Sequence, residues 1–289
     1  MTDRTEAVTT MTFKPVIHVG IDGAWRDAGA VEWAVQEALL RRAALRAVHV
    51  IDDRALPVPD ELAIDVVNAV GKYLDERLGA LDHHGCVAIG SPARTLVSLA
   101  AESRMLVVGR RGTDAVRDLM IGSLSEAVAI SGTVPVIVVP QQWTPTGRGG
   151  PVVVAIDGSD CGSPAVDFAV ETANLRKLPL RLVHVWDLPA IYPGDVPSMG
   201  EEWWDTAERR LEHLADGLRG RHPDLLVETE LRSGHAAAGI VTAATEADAQ
   251  LLVIGGCARD WPSKLPDSIT CGVLRHAGCP LAVVHHREG

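Results

Sequence analysis

The chain has 289 residues, 47% of them apolar and 22% charged, with a formal net charge of −11. At roughly 100–200 residues per domain this length suits two domains, each able to bury a core. The acidity runs against a protein that grips a nucleic-acid backbone, which needs the opposite charge balance.

Aromatic residues make up only 4%. The core must therefore be built from Val, Ile, Leu and Ala, a composition suited to buried parallel sheets. The opening MTDRTEAVTTMTFK holds no apolar h-region of a secretory signal. No apolar run approaches the ~20 residues needed to cross a membrane. The five cysteines, Cys86, Cys161, Cys257, Cys271 and Cys279, form no Cys-x-x-Cys pair and read as free thiols of a reducing compartment. These features predict a cytoplasmic protein without nucleic-acid or membrane partners.

In chain order, residues 15–22 (PVIHVGID) form a short apolar run ending at Asp-Gly, which fits a buried strand and a turn. Ala30, Val31, Ala34, Val35, Ala38 and Leu39 recur at helical spacing. A second strand is expected over 45–52, a helix over 60–81, and a third strand over 86–90. A helix follows through Leu96 and Ala100, then a fourth strand at 105–109, a helix at 123–130 and a fifth strand at 134–140. The segment WTPTGRGGP, residues 143–151, is rich in Gly, Pro and Thr and reads as a junction.

The order then repeats. His18 to Asp52 aligns without a gap on Val153 to Asp187, sharing Ile-Asp-Gly, the Ala-Val pairs of the next helix and the Val-His-Val strand. The last strands of the second half are expected at 251–256 and 280–286. The predicted organisation is a first domain over 1–142, a linker over 143–150 and a second domain over 151–289. Alternation of strand and helix implies an α/β fold of two doubly wound domains, each with a five-stranded parallel sheet. Ligands of such sheets sit beyond the carboxyl ends of the strands. The apolar last strands of the two halves predict that the halves pair about a pseudo-two-fold axis, since their edges would otherwise be exposed.

The fourth strand runs into GRRGTDAVRDLMIGSLSEAVA, which places Gly109, Gly112, Gly122 and Ser123 around a loop that ends at a helix start. Two readings are open from the residues alone. Glycines allow backbone N–H groups to approach a ligand, and a helix start favours a phosphate. Ser123 and Ser125 add hydroxyls, and Arg110 and Arg111 add charge. Equally, Ser123 and Glu126 form the Ser-x-x-Glu of an ordinary capping box.

The motif Gly-x2-Gly-x9-Gly-Ser after a Val-Val-Gly strand resembles the ATP-binding signature of the universal stress protein family. Val19-Gly-Ile-Asp-Gly23, Val48-His-Val50, Gly90-Ser-Pro92 and Val134-Pro-Val-Ile-Val-Val139 resemble the family's strands and turns, and the likeness covers nearly both halves. The resemblance implies the universal stress protein and adenine nucleotide hydrolase-like fold, with ATP as the ligand, with or without Mg. It places adenine and ribose at Gly20, Ile21, Asp22 and Val50. It places the phosphates at Gly109, Arg110, Arg111 and Gly112, and at Gly122, Ser123, Leu124 and Ser125. It implies an ATP-binding stress-response protein that acts through nucleotide-dependent conformation or through an unidentified protein partner, as an internal pseudo-dimer; a homodimer of whole chains stays open. Hydrolysis is expected to be slow or absent. An enzyme that cleaves ATP between its α- and β-phosphates, and an interaction module with a vestigial site, are the alternatives.

The second half departs from the pattern. Its loop reads GGCARDWPSKLPDSIT, with Ala258 for the second glycine, Asp267 for the third and one residue fewer between them. A carboxylate there repels phosphate, so one ATP per chain is expected. In the first half Ala24-Trp25 replaces the family's frequent Ser-Pro, and Trp25 shields the adenine end or covers the helix.

Other candidates are weaker. The strand histidines His49 and His184 read as satisfied core groups. The adjacent pairs His83-His84 and His285-His286 do not share a face, and the last resembles a frayed terminus. Asp52-Asp53 and Glu201-Glu202 read as solvated carboxylates. Trp203-Trp204 offer either a partner patch or core.

Overall fold

The β-branched, apolar runs of this chain form strands wherever Gly, Asp or Pro bounds them, and its Ala-rich periodic stretches form helices between them. The computed structural model describes residues 15–55, 60–110, 123–145, 149–157, 164–186, 196–256 and 269–285. In the first half, strands β1 (Val16–Ile21), β2 (Ala44–Ile51), β3 (His83–Ile89), β4 (Met105–Arg110) and β5 (Val136–Pro140) alternate with helices α1 (Ala30–Arg41), α2 (Asp60–Leu78), α3 (Pro92–Leu99) and α4 (Ser123–Ser131). The second half repeats this with β6 (Val152–Ile156), β7 (Leu180–Trp186), β8 (Val227–Ser233), β9 (Leu251–Gly256) and β10 (Leu281–His285). Its helices are α5 (Pro164–Arg176), α6 (Val196–Arg221), α7 (Ala236–Glu246) and α8 (Ile269–His276).

Each half is a parallel sheet in the order 3-2-1-4-5, and the two join into one ten-stranded sheet. The join is the antiparallel pair β5–β10, where Ile137 faces Ala282 and Val136 faces Val283. Each half would otherwise leave a five-residue, fully buried apolar strand as an open edge. The expected pairing of the last strands is thus met by a single continuous sheet. Helices α1, α2, α5 and α6 cover one face, over Ile17, Val107, Val154 and Val253. Helices α3, α4, α7 and α8 cover the other, over Val108, Val138, Leu252 and Val283.

The repeat extends to local detail. Helix α1 ends at Arg42 and α5 at Lys177, both in the left-handed conformation at φ 51° and φ 55°. In each case the next residue's N–H closes the turn, from Ala43 to the Ala38 carbonyl and from Leu178 to the Ala173 carbonyl. Gly29 starts α1 at φ 61°, where a side chain would strike the Trp143 carbonyl at 2.8 Å. Trp143 thereby packs onto the first half's core.

Several boundaries differ from the sequence reading: α2 stops at Leu78, three residues early, and β5 starts at Val136, two residues late. Strand β3 begins at His83, three residues before Cys86, because backbone pairing with β2 from Leu45 onward sets its start and not its apolar pattern. His285 is the buried last residue of β10 and not part of a frayed end.

The parallel register sets His18, Arg46 and His84 side by side on neighbouring strands. The His18 Nδ1 lies 2.6 Å from the Ser103 hydroxyl. Burial, then the charges of Arg46 and His84, hold the His18 pKa down to about 4 from 6.5. Between those values the unfolded chain binds the extra proton and the folded one does not, so stability falls as pH drops from 6.5 towards 4. The melting temperature of the wild type should fall more steeply over that window than that of His18→Gln; equal slopes would show that His18 is not linked to folding.

Candidate functional site

The chain leaves β1 for β2 and β3 on one side and returns to β4 and β5 on the other, so the β1–β4 boundary is the topological switch point of the first half. In open α/β sheets ligands bind at such a point, beyond the carboxyl ends of the strands. Gly20, Ile21 and Asp22 end β1, Val50 lies near the end of β2, Gly109 and Arg110 end β4, and Ser123, Leu124 and Ser125 form the first turn of α4. The ends of β1 and β4, at least 87 residues apart in sequence, thus meet at one sheet end. Arg111, Gly112 and Gly122 lie outside the described residues, as does the side chain of Ser123.

Asp22 turns its carboxylate back, and its Oδ1 accepts the Ala24 N–H at 2.8 Å. This turn redirects the chain at the end of β1. His49 holds the same corner from β2, donating from Nδ1 to the Ile21 carbonyl at 3.1 Å. The carbonyl can only accept, so Nδ1 carries the proton. His49 is a positioning residue that sequence reasoning treated only as core; its signal was its place in both copies of the repeat. In the second half His184 bonds the Ile156 carbonyl in the same way, at 2.7 Å.

Two site glycines are closely packed. A Cβ on Gly20 would meet Leu96 Cδ1 at 3.0 Å, and one on Gly109 would meet Ala28 Cβ at 3.2 Å. Trp25 is buried, meets Tyr73 of α2 in a tilted contact with ring centroids 5.3 Å apart, and carries the Arg26 guanidinium over its ring. It therefore covers the helix layer and is not directed at a ligand.

The first turn of α4 is fixed to the strand it follows. The buried Ser125 hydroxyl donates to the Gly109 carbonyl at 2.8 Å. The Glu126 carboxylate accepts the Cys271 thiol at 3.3 Å and lies 3.8 Å from Arg275, so it turns to the second half and not back to its own helix start. That geometry removes the acid of the capping-box reading. Arg110 departs from expectation as well. Its Nη1 donates to the carbonyls of Leu274 at 3.0 Å and Arg275 at 3.5 Å, at the end of α8. The reason is strand alternation: Gly109 faces the α1 layer, which turns Arg110 to the α8 layer.

In the second half Asp157 is exposed at the end of β6 and Gly255 at the end of β9. Gly158 and positions 257–268, including Ala258 and Asp267, lie outside the described residues. Trp186 stands at the end of β7, where β2 has Ile51, and meets the exposed ring of Trp203 at 6.1 Å in an edge-on contact.

The remaining candidates have structural partners. His83 bonds the Leu81 carbonyl and Asp75, at 2.7 and 3.0 Å. Asp52 pairs with Arg54, whose guanidinium holds its pKa down to about 2. His285 donates to the Ala129 carbonyl at 2.8 Å. Cys86, Cys271 and Cys279 are free thiols; burial pushes the Cys279 pKa up to about 11, which keeps it unreactive at neutral pH. No helix among the described residues is long and apolar enough to cross a membrane.

Comparison with known proteins follows the geometry. Residues 15–140 and 150–285 each match the universal stress protein family. A universal stress protein of Mycolicibacterium smegmatis is 30% identical over 294 residues, covering 94% of this chain and 97% of that one. One from Mycobacterium tuberculosis is 28% identical over 302 residues, covering 92% and 94%. Among solved structures, a universal stress protein from Archaeoglobus fulgidus superposes with a TM-score of 0.74 at 17% identity, covering 93% of this chain and 98% of that one.

Proposed function

The chain belongs to the universal stress protein family, two copies of whose domain lie in one polypeptide, and from this we propose that its first half binds one ATP and that the protein acts in the cytoplasm as a nucleotide-dependent stress regulator. One observation carries the reading. The Gly-x2-Gly-x9-Gly-Ser motif begins at the end of β4, beside β1 at the switch point, and finishes at the start of α4.

In this reading Asp22 and the backbone of Gly20, Ile21 and Val50 hold adenine and ribose. Backbone N–H groups of the loop and the α4 start, with Ser123, hold the phosphates, and Mg is an optional companion. Ser125 and Arg110 act indirectly, since the one is bonded to Gly109 and the other to α8. The second half keeps Asp157 and His184 but carries Asp267 in its loop, so it holds no ATP. In this reading no residue is assigned to activate water, so turnover should fall well below the roughly 1–10³ per second of enzymes.

Titration of the purified chain with ATP, followed by chromatography of the nucleotide, tests the proposal. One intact ATP per chain is the expected result. Two equivalent sites would overturn the assignment of the second half. Steady release of ADP or AMP would establish an enzyme, and no binding would leave an interaction module with a vestigial site.

A further inference from the structure

On the α3/α4 face, α4 and α8 lie on either side of the β5–β10 join, and a side chain from the opposite half reaches the last turn of each. Arg110 of β4 donates to the Leu274 and Arg275 carbonyls of α8. His285 of β10 donates from Nε2 to the Ala129 carbonyl of α4. The last four carbonyls of a helix have no partner within it, and the negative end of the dipole lies there, so a cationic donor satisfies both needs. Glu126 of α4 adds a second tie, to Cys271 and Arg275 of α8.

The two caps are not equivalent. The α4 cap comes from the last strand of the second half, which bears no ligand loop. The α8 cap comes from the nucleotide strand itself. Arg110 sits between Gly109, whose carbonyl holds Ser125, and Arg111, where the loop of the motif begins. At the corresponding end of β9 stands Gly256, which has no side chain to reach across. Among the described residues, the strand end that precedes the first half's loop reaches the other half, and the matching strand end of the second half does not.

We infer that Arg110 is a positioning residue for the nucleotide loop, and that α8 of the second half is the element through which the rest of the molecule senses that nucleotide. The inference rests on the nucleotide reading of the first half. Its physical basis is linkage. Phosphates that fix the loop also fix the strand end from which Arg110 reaches α8, and the coupling must act equally in both directions. Nucleotide then tightens α8, and loss of the Arg110 contact weakens nucleotide binding without removing any group from the ligand.

The test uses the full chain, ATP as the probe, and hydrogen exchange of the peptide covering α8. In the wild type, saturating ATP should slow exchange across 269–276. In Arg110→Met, ATP affinity should fall about tenfold, within the roughly 5–150-fold range of allosteric couplings, and α8 exchange should no longer respond at saturation. Arg110→Lys keeps the charge but not the planar fork and should restore part of both effects. Wild-type α8 that ignores bound ATP would overturn the inference and leave the nucleotide reading intact. So would an Arg110→Met protein that binds ATP as tightly as the wild type. A wild type that binds no ATP would overturn the nucleotide reading and the inference with it.

Discussion

Gly122→Asp is expected to lower the ATP affinity of the chain about a thousandfold while leaving its melting temperature unchanged. Position 122 directly precedes α4, and the second half carries Asp267 at the matching place. A carboxylate there would lie beside the phosphates. Two unit charges 4 Å apart at an effective dielectric of 20 interact by about 4 kcal/mol, and each 1.4 kcal/mol is roughly a factor of ten in affinity. The fold should tolerate the change, because aspartate is favourable ahead of a helix and at the positive end of its dipole. Gly122→Ala separates charge from bulk: it fills the same approach space and should cost far less than the aspartate. Calorimetric titration of both variants decides the matter. Unchanged affinity in Gly122→Asp, with unchanged melting, would remove this loop from the site. The reverse change, Asp267→Gly, should not restore a second site, since Ala258 still replaces the second loop glycine.

The largest stability effect is expected at Glu37. Its carboxylate is fully buried between α1 and α5, with the Arg41 side chain 5% exposed and that of Arg176 14% exposed. Arg41 also bonds Glu171 at 2.6 Å and Thr172 at 3.1 Å, and Glu171 pairs with Arg104. Arg41 lies over Phe168, and Arg176 over Trp33. In the repeat Thr172 occupies the place of Glu37, so this carboxylate stands between two guanidinium groups that approach from opposite halves. Removing one member of a buried ionic group leaves an uncompensated charge and costs about 3–5 kcal/mol. Glu37→Leu should therefore lower the melting temperature by roughly 6–20 °C, at 2–4 °C per kcal/mol for a chain of this order of size. The triple variant Glu37→Leu, Arg41→Leu, Arg176→Met should recover most of the loss, because apolar replacement of a whole buried ionic group is often neutral or stabilising. Glu171 keeps Arg104 in that variant. Calorimetric scanning reads both, and a fall under about 2 °C in the single variant would show that the charges are effectively solvated.

Most of the fold was legible because its signals are local. Apolar runs ending at Asp-Gly, Ala-Val pairs at helical spacing and a gapless repeat each follow from neighbouring residues. Strand β3 was the exception. His83, His84 and Gly85 carry no apolar alternation, and their place in the sheet comes from pairing with Leu45, Arg46 and Ala47.

For the candidate site, the motif spacing was readable from the sequence, whereas the pairing of β1 with β4 that makes the switch point came from the sheet order. Three assignments were not. Trp25 stayed open between shielding a ligand and covering the helix because its aromatic partner, Tyr73, lies in another helix. Glu126 looked like a capping acid because its sequence context is a capping box, yet its partner is Cys271. Arg110 looked like a phosphate group because it sits in a phosphate motif, yet its carbonyl partners lie 164 and 165 residues away. No local pattern marks Glu37 and Arg41, whose partners Arg176 and Glu171 lie in α5.

The sequence by itself determined most of the strands and helices, the doubling of the domain and the glycine motif of the first loop, because periodicity and turn residues act over a few positions. The docking of the two halves decided the rest. When β5 pairs with β10, side chains that each half would present to water become buried partners of the other half. Burial is what turns a surface glutamate into a structural charge and a loop arginine into a cap. Those contacts form between residues that no local pattern connects.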